Sequence, residues 1–366
     1  MRNKIYKGGL FVSVLMIAGV ILFSWTCATA AQPKQVKPEI TIKCSHSFSQ
    51  GSSSVKGWMW WADQVTKRTD GRIQFKWYHG GALSKPGEEQ EHMRTGFADM
   101  VMSSATFHAH MKLWEMNGAI PFQPKDTSIA VKTKWQLYNE FKELQDEIAL
   151  KNGVLMFIGA YGDYQIISRV PLKSMDDLKG LKLAVLGRQQ PKWISPVGAI
   201  PTTIPGPARY EALEKGVVDA SLMTLVASYA FRHHEICKYF LYADLGQYCS
   251  IYFTMNKDTW NKISREDQKV IQDISMEVMN DFYPKLIAEE DVRVEKLMKE
   301  AGVTFYSLTD KEKARWAESL PNLAQDWINE ATDASGKELR KRIWKRYLEI
   351  TAGYGFTWPM DWSKVD

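Results

Sequence analysis

Cysteine is scarce in this chain, with four residues in 366, at positions 27, 44, 237 and 249. Four are too few for a disulfide framework, and a chain of this length can build cores without one. A Cys237–Cys249 bridge would suit an oxidising compartment, but small buried hydrophobes are the simpler reading of Cys44, Cys237 and Cys249. Charge of one sign is missing too. The 47 basic and 42 acidic residues differ by five, and Arg2, Lys4 and Lys7 supply three of those, leaving 44 against 42 after residue 31. Lys and Arg are scattered among Asp and Glu, which excludes a nucleic-acid-binding stripe. Catalytic signatures are also absent: there is no G-x-S-x-G, P-loop, H-E-x-x-H or G-x-G-x-x-G. The acidic residues mostly sit at helical spacings beside Lys, the pattern of a solvated face. Catalysis thus has little support in the sequence, and neither a reaction nor a cofactor is expected.

Long apolar runs are confined to the start. Leu10 to Trp25 is sixteen residues long, short of the roughly 20 that a bilayer span requires. A basic segment precedes it, and Ala28-Thr29-Ala30 follows as a small-x-small cleavage site. Residues 1–31 thus read as a secretory signal peptide. Cys27 lies in a poor context for acylation, after Trp25-Thr26. The mature chain is expected to be soluble, periplasmic and not itself membrane-spanning. Its remaining 335 residues, 366 less 31, suffice for two domains.

The mature chain alternates strand and helix signals. Ile40 to Ser45 reads as a strand, Ser52 as the cap of a helix reaching about Thr69, Ile73 to Tyr78 as a strand, Pro86 to Thr95 as a helix and Ala98 to Ser103 as a strand. That order favours a parallel or mixed sheet with helices on its faces. A helical stretch, Thr127 to Lys151, leads to an apolar strand at Val154 to Ile158. Tyr164 to Arg169 is a candidate strand crossing to a second lobe. There, strands at Leu181 to Leu186 and Val217 to Leu222 alternate with helices at Pro207 to Lys215 and Ala227 to Tyr239. Tyr248 to Asn256 reads as the strand returning to the first lobe. Ser264 opens a helix running toward Lys299 with a kink at Pro284, and Thr309-Asp310-Lys311-Glu312 is a full capping box. The fold class is α/β, with two lobes bracketed by C-terminal helices.

Two groupings carry candidate chemistry. His108-x-His110 and His233-His234-Glu235 hold enough imidazole and carboxylate for a metal ion if the pairs meet, so a metal-ion receptor is one alternative. Trp58, Ala62 and Val65 share a helical face as a core stripe, whereas Trp60 lies off that face.

Six segments in order resemble one family. They are TKRTDGRIQFKWYHGGALS, TGFADMVMSS, IPF at 120–122, SMDDLKGLKLAV, VGAIPTTIP and YEALEKGVVDA. Between about Ile40 and Tyr306 the chain is similar to the periplasmic solute-binding subunit of tripartite ATP-independent periplasmic (TRAP) transporters, the C4-dicarboxylate-binding type. The resemblance implies two α/β lobes joined by hinge strands, with a long kinked helix spanning both. Lobe I would be residues 38–161 with 249–288 returning to it, and lobe II residues 162–248 with 289–350 packing on it. A small organic solute would be enclosed as the lobes close and passed to membrane permease subunits. A sensor presenting its ligand to a membrane kinase is the other alternative.

The departures from the family bear on the ligand. Where members that bind carboxylates carry Arg in the strand after GLK, this chain has Ala184. Tyr164 stands at a second frequent Arg, Ala208 at an acidic position, and Met223 at a pocket amide. Bidentate Arg–carboxylate pairing fixes such ligands, so a simple dicarboxylate is not expected unless Arg188, Arg169, Arg209 or Lys85 supplies a replacement cation. By position the contacts should be His46, Ser47, Lys85, Ser103, Ser104 and Thr106 from lobe I. Tyr161, Tyr164, Gln165, Arg188 and Thr224 should follow from the hinge and lobe II. Tyrosines, hydroxyls and an amide suit an uncharged, zwitterionic or aromatic solute, or an anion held by one Arg.

Overall fold

Short runs of alternating or wholly apolar residues assemble into two sheets. The computed structural model describes residues 38–366 apart from Ser49, Cys249 and Ser250. The expected signal peptide, Cys27 and one partner of the Cys237–Cys249 pair therefore lie outside the described residues. Cys44 and Cys237 are buried and form no disulfide among the described residues. In chain order the strands are β1 (Ile40–Ser45), β2 (Ile73–Tyr78), β3 (Met100–Ser104), β4 (Gly153–Gly159), β5 (Tyr164–Ser168) and β6 (Lys182–Val185). They continue with β7 (Ile200–Thr203), β8 (Ala220–Thr224), β9 (Tyr239–Tyr242), β10 (Ile251–Asn256) and β11 (Thr304–Ser307).

The first sheet has the order β2-β1-β3-β10-β4 and the second β11-β9-β5-β8-β6-β7. Strands β1, β2 and β3 are parallel, and β10 runs antiparallel between β3 and β4. Strands β6, β7 and β8 are likewise parallel, with β5 antiparallel to β8 and β9. Each sheet reverses its winding once. From β1 the chain goes out to β2 and returns on the other side as β3; from β6 it goes out to β7 and returns as β8. Such reversals open a crevice at the carboxyl ends of the strands, where ligands of α/β sheets bind.

Helices cover the sheets. Ser52 caps helix Ser53–Arg68 through its side chain, and Val55, Trp58, Trp61, Ala62 and Val65 are buried against the first sheet's core. Trp60, off that face, stacks on Phe282 with ring centroids 4.3 Å apart. The stretch expected to be one helix from Thr127 is two, Thr127–Glu140 and Lys142–Ala149. Phe141 between them takes an extended backbone and buries its ring. Ala227 to Tyr239 also divides, into Leu225–Ala230 and His233–Ile236, because Arg232 turns left-handed at φ 60°. Tyr239 then belongs to β9. Strands β7, β9 and β11 have four residues each, too few for alternation to register in the sequence.

The described residues form one compact unit. The helix from Ser264 appears as Arg265–Glu277, a π-helical turn Val278–Phe282 and Tyr283–Glu300. Pro284 sits in the first turn after that irregularity, where its missing N–H is tolerated. The C-terminal helix is Ala334–Gly353, and it packs on Leu323–Asn329. It lies along Thr127–Glu140, pairing Arg346 with Glu140 (2.6 Å) and Tyr347 Oη with Gln123 (2.9 Å). Trp344 and Tyr347 are buried on its inner face. Among the described residues no helix is long and apolar enough to cross a membrane.

Candidate functional site

The two winding reversals face each other. The first opens at His46-Ser47 after β1 and Ala105-Thr106 after β3, the second at Leu186-Gly187 after β6 and Leu225 after β8. Gly187 has φ +63°, and a Cβ built there would lie 2.8 Å from Thr106 Cγ2. Only a residue without a side chain lets the two crevices approach this closely. Two chain crossings frame the contact. Asp163 bridges Gln247 in antiparallel fashion. Tyr164 N donates to Gly246 O at 3.1 Å, and Leu245 N donates to Tyr164 O at 3.2 Å.

On the first-sheet side, Thr106 Oγ1 donates to Tyr248 Oη at 2.9 Å and Ser104 Oγ to Thr106 Oγ1 at 3.4 Å. Tyr161 Oη lies beside Ser104, and its ring is 5.7 Å from that of Phe48. Below them Glu89, 1% exposed, accepts from Gly87 N (2.7 Å) and Ser47 Oγ (3.4 Å). Burial without a cationic partner pushes its carboxyl up to about 7. His108 Nε2 is 3.6 Å from Glu89 Oε2, but burial brings that imidazole down to about 4, so it gives the carboxyl no positive partner.

On the second-sheet side, Tyr164, Trp193 and Tyr248 make a wall with ring centroids 6.3–6.4 Å apart. Gln190 holds Leu186 N through Oε1 (2.7 Å) and lies beside the Tyr164 phenol. Arg209, 1% exposed, reaches into the reversal between β6 and β8. Its Nε donates to Ile204 O (2.8 Å), and its Nη1 to Leu222 O (2.7 Å) and Ser221 Oγ (3.1 Å). Ser221 is the register partner of Ala184. The guanidinium is therefore bonded to β8 where that strand runs beside Ala184 of β6.

The other expected contacts have different occupations. Gln165 is consumed by the crossings: its Nε2 donates to Asp163 (2.7 Å) and Asp244 (3.2 Å), and its Oε1 accepts from Ala243 N and Asp244 N. Thr224 Oγ1 caps helix Leu225–Ala230. Ser103 Oγ accepts from Gln90 Nε2 at 3.1 Å. His46 is buried against Trp58 and His79 and held neutral, its imidazole lowered to about 4 by burial. Lys85 is exposed on the loop after β2. Arg188 spans the two halves, donating to Glu115 Oε2 (2.9 Å) and Glu330 Oε2 (3.2 Å). Arg169 donates to Leu213 O at the far end of β5.

Glu89, Glu115, Gln190, Trp193 and Tyr248 were not singled out from the sequence. Glu89 and Gln190 each open a short helix, Glu89–Arg94 and Gln190–Ile194, and Gln190 follows the strand end of β6, which is the signal that would have found it. The metal alternative gains nothing, since among the described residues no three His, Cys, Asp or Glu side chains gather as ligands. His108 and His110 have ring centroids 5.7 Å apart, while His233 is buried and His234 stacks on Tyr229. A surface hollow of about 370 Å³ between Val131, Trp135, Met279 and Tyr354 contains none of the site residues.

The chain resembles known proteins over most of its length. The sequence model described as bacterial extracellular solute-binding protein, family 7, matches residues 44–331. The chain is similar to the 2,3-diketo-L-gulonate-binding periplasmic protein YiaO of Escherichia coli K12, with 27% identity over 316 residues, 85% of this chain and 91% of that one. It is also similar to the C4-dicarboxylate-binding periplasmic protein DctP of Rhodobacter capsulatus, with 23% identity over 307 residues, 83% of this chain and 91% of that one. The fold matches a marine metagenome TRAP solute-binding protein, from an unidentified microbe, specific for aromatic acid ligands. The TM-score is 0.76 at 24% identity, covering 87% of this chain and all of that one.

Proposed function

The chain belongs to family 7 of the bacterial extracellular solute-binding proteins, and from that membership we propose that it encloses one small organic solute between its two sheets. It is a periplasmic receptor of the TRAP transporter class and binds without catalysing a reaction. The solute passes from it to TRAP-type membrane permease subunits. The observation that carries the reading is the meeting of the two winding reversals at Gly187 and Thr106, which makes a closable chamber at the ends of both sheets.

In this reading residues 1–31 are a cleaved signal peptide. Lobe I is 38–161 with 249–288, and lobe II is 162–248 with the chain after 289 as far as the helix from Ala334, which returns to lobe I. Ser47, Ser104, Thr106, Tyr161 and Tyr164 contact the solute, with Glu89, Gln190 and Trp193 added to them. Gln165 and Thr224 brace the frame, and Arg188 ties the lobes through Glu115. The three relatives are named for 2,3-diketo-L-gulonate, C4-dicarboxylates and aromatic acids, which supports an organic acid as the class to test first. Ala184 and Tyr164 at the family's arginine positions speak against a plain dicarboxylate.

The test is to purify the protein from its native compartment, denature it and identify the released molecule by mass spectrometry. A stoichiometric organic solute is expected. Added back at about 100 times its dissociation constant, it should stabilise the fold by about 2.7 kcal/mol. Protein that releases nothing, and that no organic solute stabilises, would overturn the receptor reading.

A further inference from the structure

Arg209 is a cation without a counterion. Its side chain is almost wholly buried, yet no carboxylate among the described residues pairs with it. Nε and Nη1 are spent on Ile204 O, Leu222 O and Ser221 Oγ. Nη2 makes no hydrogen bond among the described residues. The charged or polar groups in electrostatic reach are the Tyr164 phenol on the chamber wall and His233. His233 is itself buried, with neither ring nitrogen partnered, and burial brings it down to about 3, so it is neutral. A buried guanidinium costs several kcal/mol unless an anion completes it. Three carbonyl or hydroxyl oxygens fix its orientation without neutralising it.

The rest of the chamber has the opposite character. Arg188 is already shared between Glu115 and Glu330, and Glu89 has no cation beside it. A second carboxylate on the solute would find no free cation there. Between these ends lie the rings of Tyr164, Trp193 and Tyr248.

Resting on the receptor reading above, we propose that Arg209 anchors the single carboxylate, or equivalent monoanionic group, of a ring-bearing solute whose flat body lies against Tyr164, Trp193 and Tyr248. The cation comes from the segment after β7 and reaches across β8, beside Ala184. Discrimination against dianions follows, because Arg188 is already held by Glu115 and Glu330 and leaves no second free cation beside Arg209.

The experiment is thermal shift and calorimetry on the mature protein, stripped of solute by denaturation and refolding. The probes are mandelate, benzoate, the neutral isostere benzamide and the dianion succinate. Mandelate or benzoate should raise the melting temperature, while benzamide and succinate bind at least about 10-fold more weakly. Arg209→Gln should weaken the better carboxylate roughly 100-fold. Arg209→Lys should fall between, since an ammonium cannot reproduce the planar fork, and Arg169→Gln should bind like the wild type. If Arg209→Gln does not fold, the benzoate–benzamide contrast on the wild type still decides. Equal binding of benzoate and benzamide, preference for succinate, or a folded Arg209→Gln with wild-type affinity overturns the proposal. So does a protein that neither mandelate nor benzoate stabilises. The receptor reading survives each of these results if another solute is released or stabilises the protein, so the two failures are distinguishable.

Discussion

Glu89 shows how a residue's charge is set by what the fold denies it. Its carboxyl is buried, accepts from Gly87 N and Ser47 Oγ, and has only the neutral His108 nearby. Because its folded value, about 7, lies above the ordinary 4.5, the folded state holds the proton more tightly than the unfolded chain does. Stability is therefore lost as pH rises from about 4.5 to about 7. His46 and His108, each lowered to about 4 by burial, act in the other direction, so stability is lost as pH falls from about 6.5 to about 4. The two slopes oppose each other between about 4.5 and 6.5. Glu89→Gln, which mimics the protonated carboxyl, is expected to be more stable than the wild type at pH 8 and closely similar at pH 4.5. Melting temperatures across that range check it; a variant destabilised equally at both ends would mean that Glu89 is ionised and paired.

The positions of His46, Ser47, Ser104 and Thr106 were legible in the sequence, since strand ends are. Glu89 was hidden because nothing in GEEQEH separates a buried Glu from its two exposed neighbours, Glu88 and Glu91. Arg209 stood out only as one cation among four, until its burial and its bonds to β8 selected it.

At the scale of elements, caps were the most readable signal. Thr309 and Glu312 form the expected reciprocal box at the start of helix Asp310–Ser319. Glu312 does more than cap, because its Oε1 also accepts from Met175 N at 3.0 Å and so ties this helix to the turn Met175–Leu178. Backbone donors hold the Glu312 carboxyl below the usual range. Its stabilisation is thus present above about pH 4.5 and lost as pH falls through the folded value. Glu312→Ala should cost about 1–2 kcal/mol at pH 7 and much less at pH 3. Denaturant titration at both values checks this, and an equal cost at both would mean that packing, not the carboxylate, carries the effect. The breaks at Phe141, Arg232 and Val278–Phe282 were less readable, as no Gly or Pro marks the first two. At the third, Pro284 signalled a kink while the π-helical form followed from packing, with Phe282 stacked on Trp60.

For the whole molecule, the question is what lets two sheets meet and part. The crossings carry Asp163, which accepts from Gly246 N and Gln165 Nε2, and Gln247, which donates to Lys125 O and Thr127 Oγ1. Those bonds hold the frame at the hinge side. At the chamber mouth the contact is thinner: Arg188 with Glu115, Trp193 Nε1 with Ala119 O at 3.4 Å, and Gly187 against Thr106. Arg188 is half exposed and its pair with the buried Glu115 is screened from one side, whereas steric fit at Gly187 limits how far the mouth closes.

Gly187→Ala brings two costs that can be separated. A left-handed alanine costs roughly 1–2 kcal/mol wherever the mouth stands, whereas the collision of its Cβ with Thr106 Cγ2 exists only when the mouth is shut. Thr106→Ser deletes that methyl and keeps the hydroxyl that donates to Tyr248. The single Gly187→Ala variant should therefore lower solute affinity and leave the solute-bound protein with a larger radius of gyration by small-angle scattering. The Gly187→Ala, Thr106→Ser pair should regain the compact radius and most of the affinity, while keeping the small loss in overall stability. If Thr106→Ser rescues neither, the contact between the two reversals does not limit closure, and the backbone of the loop after β6 sets affinity through its own strain.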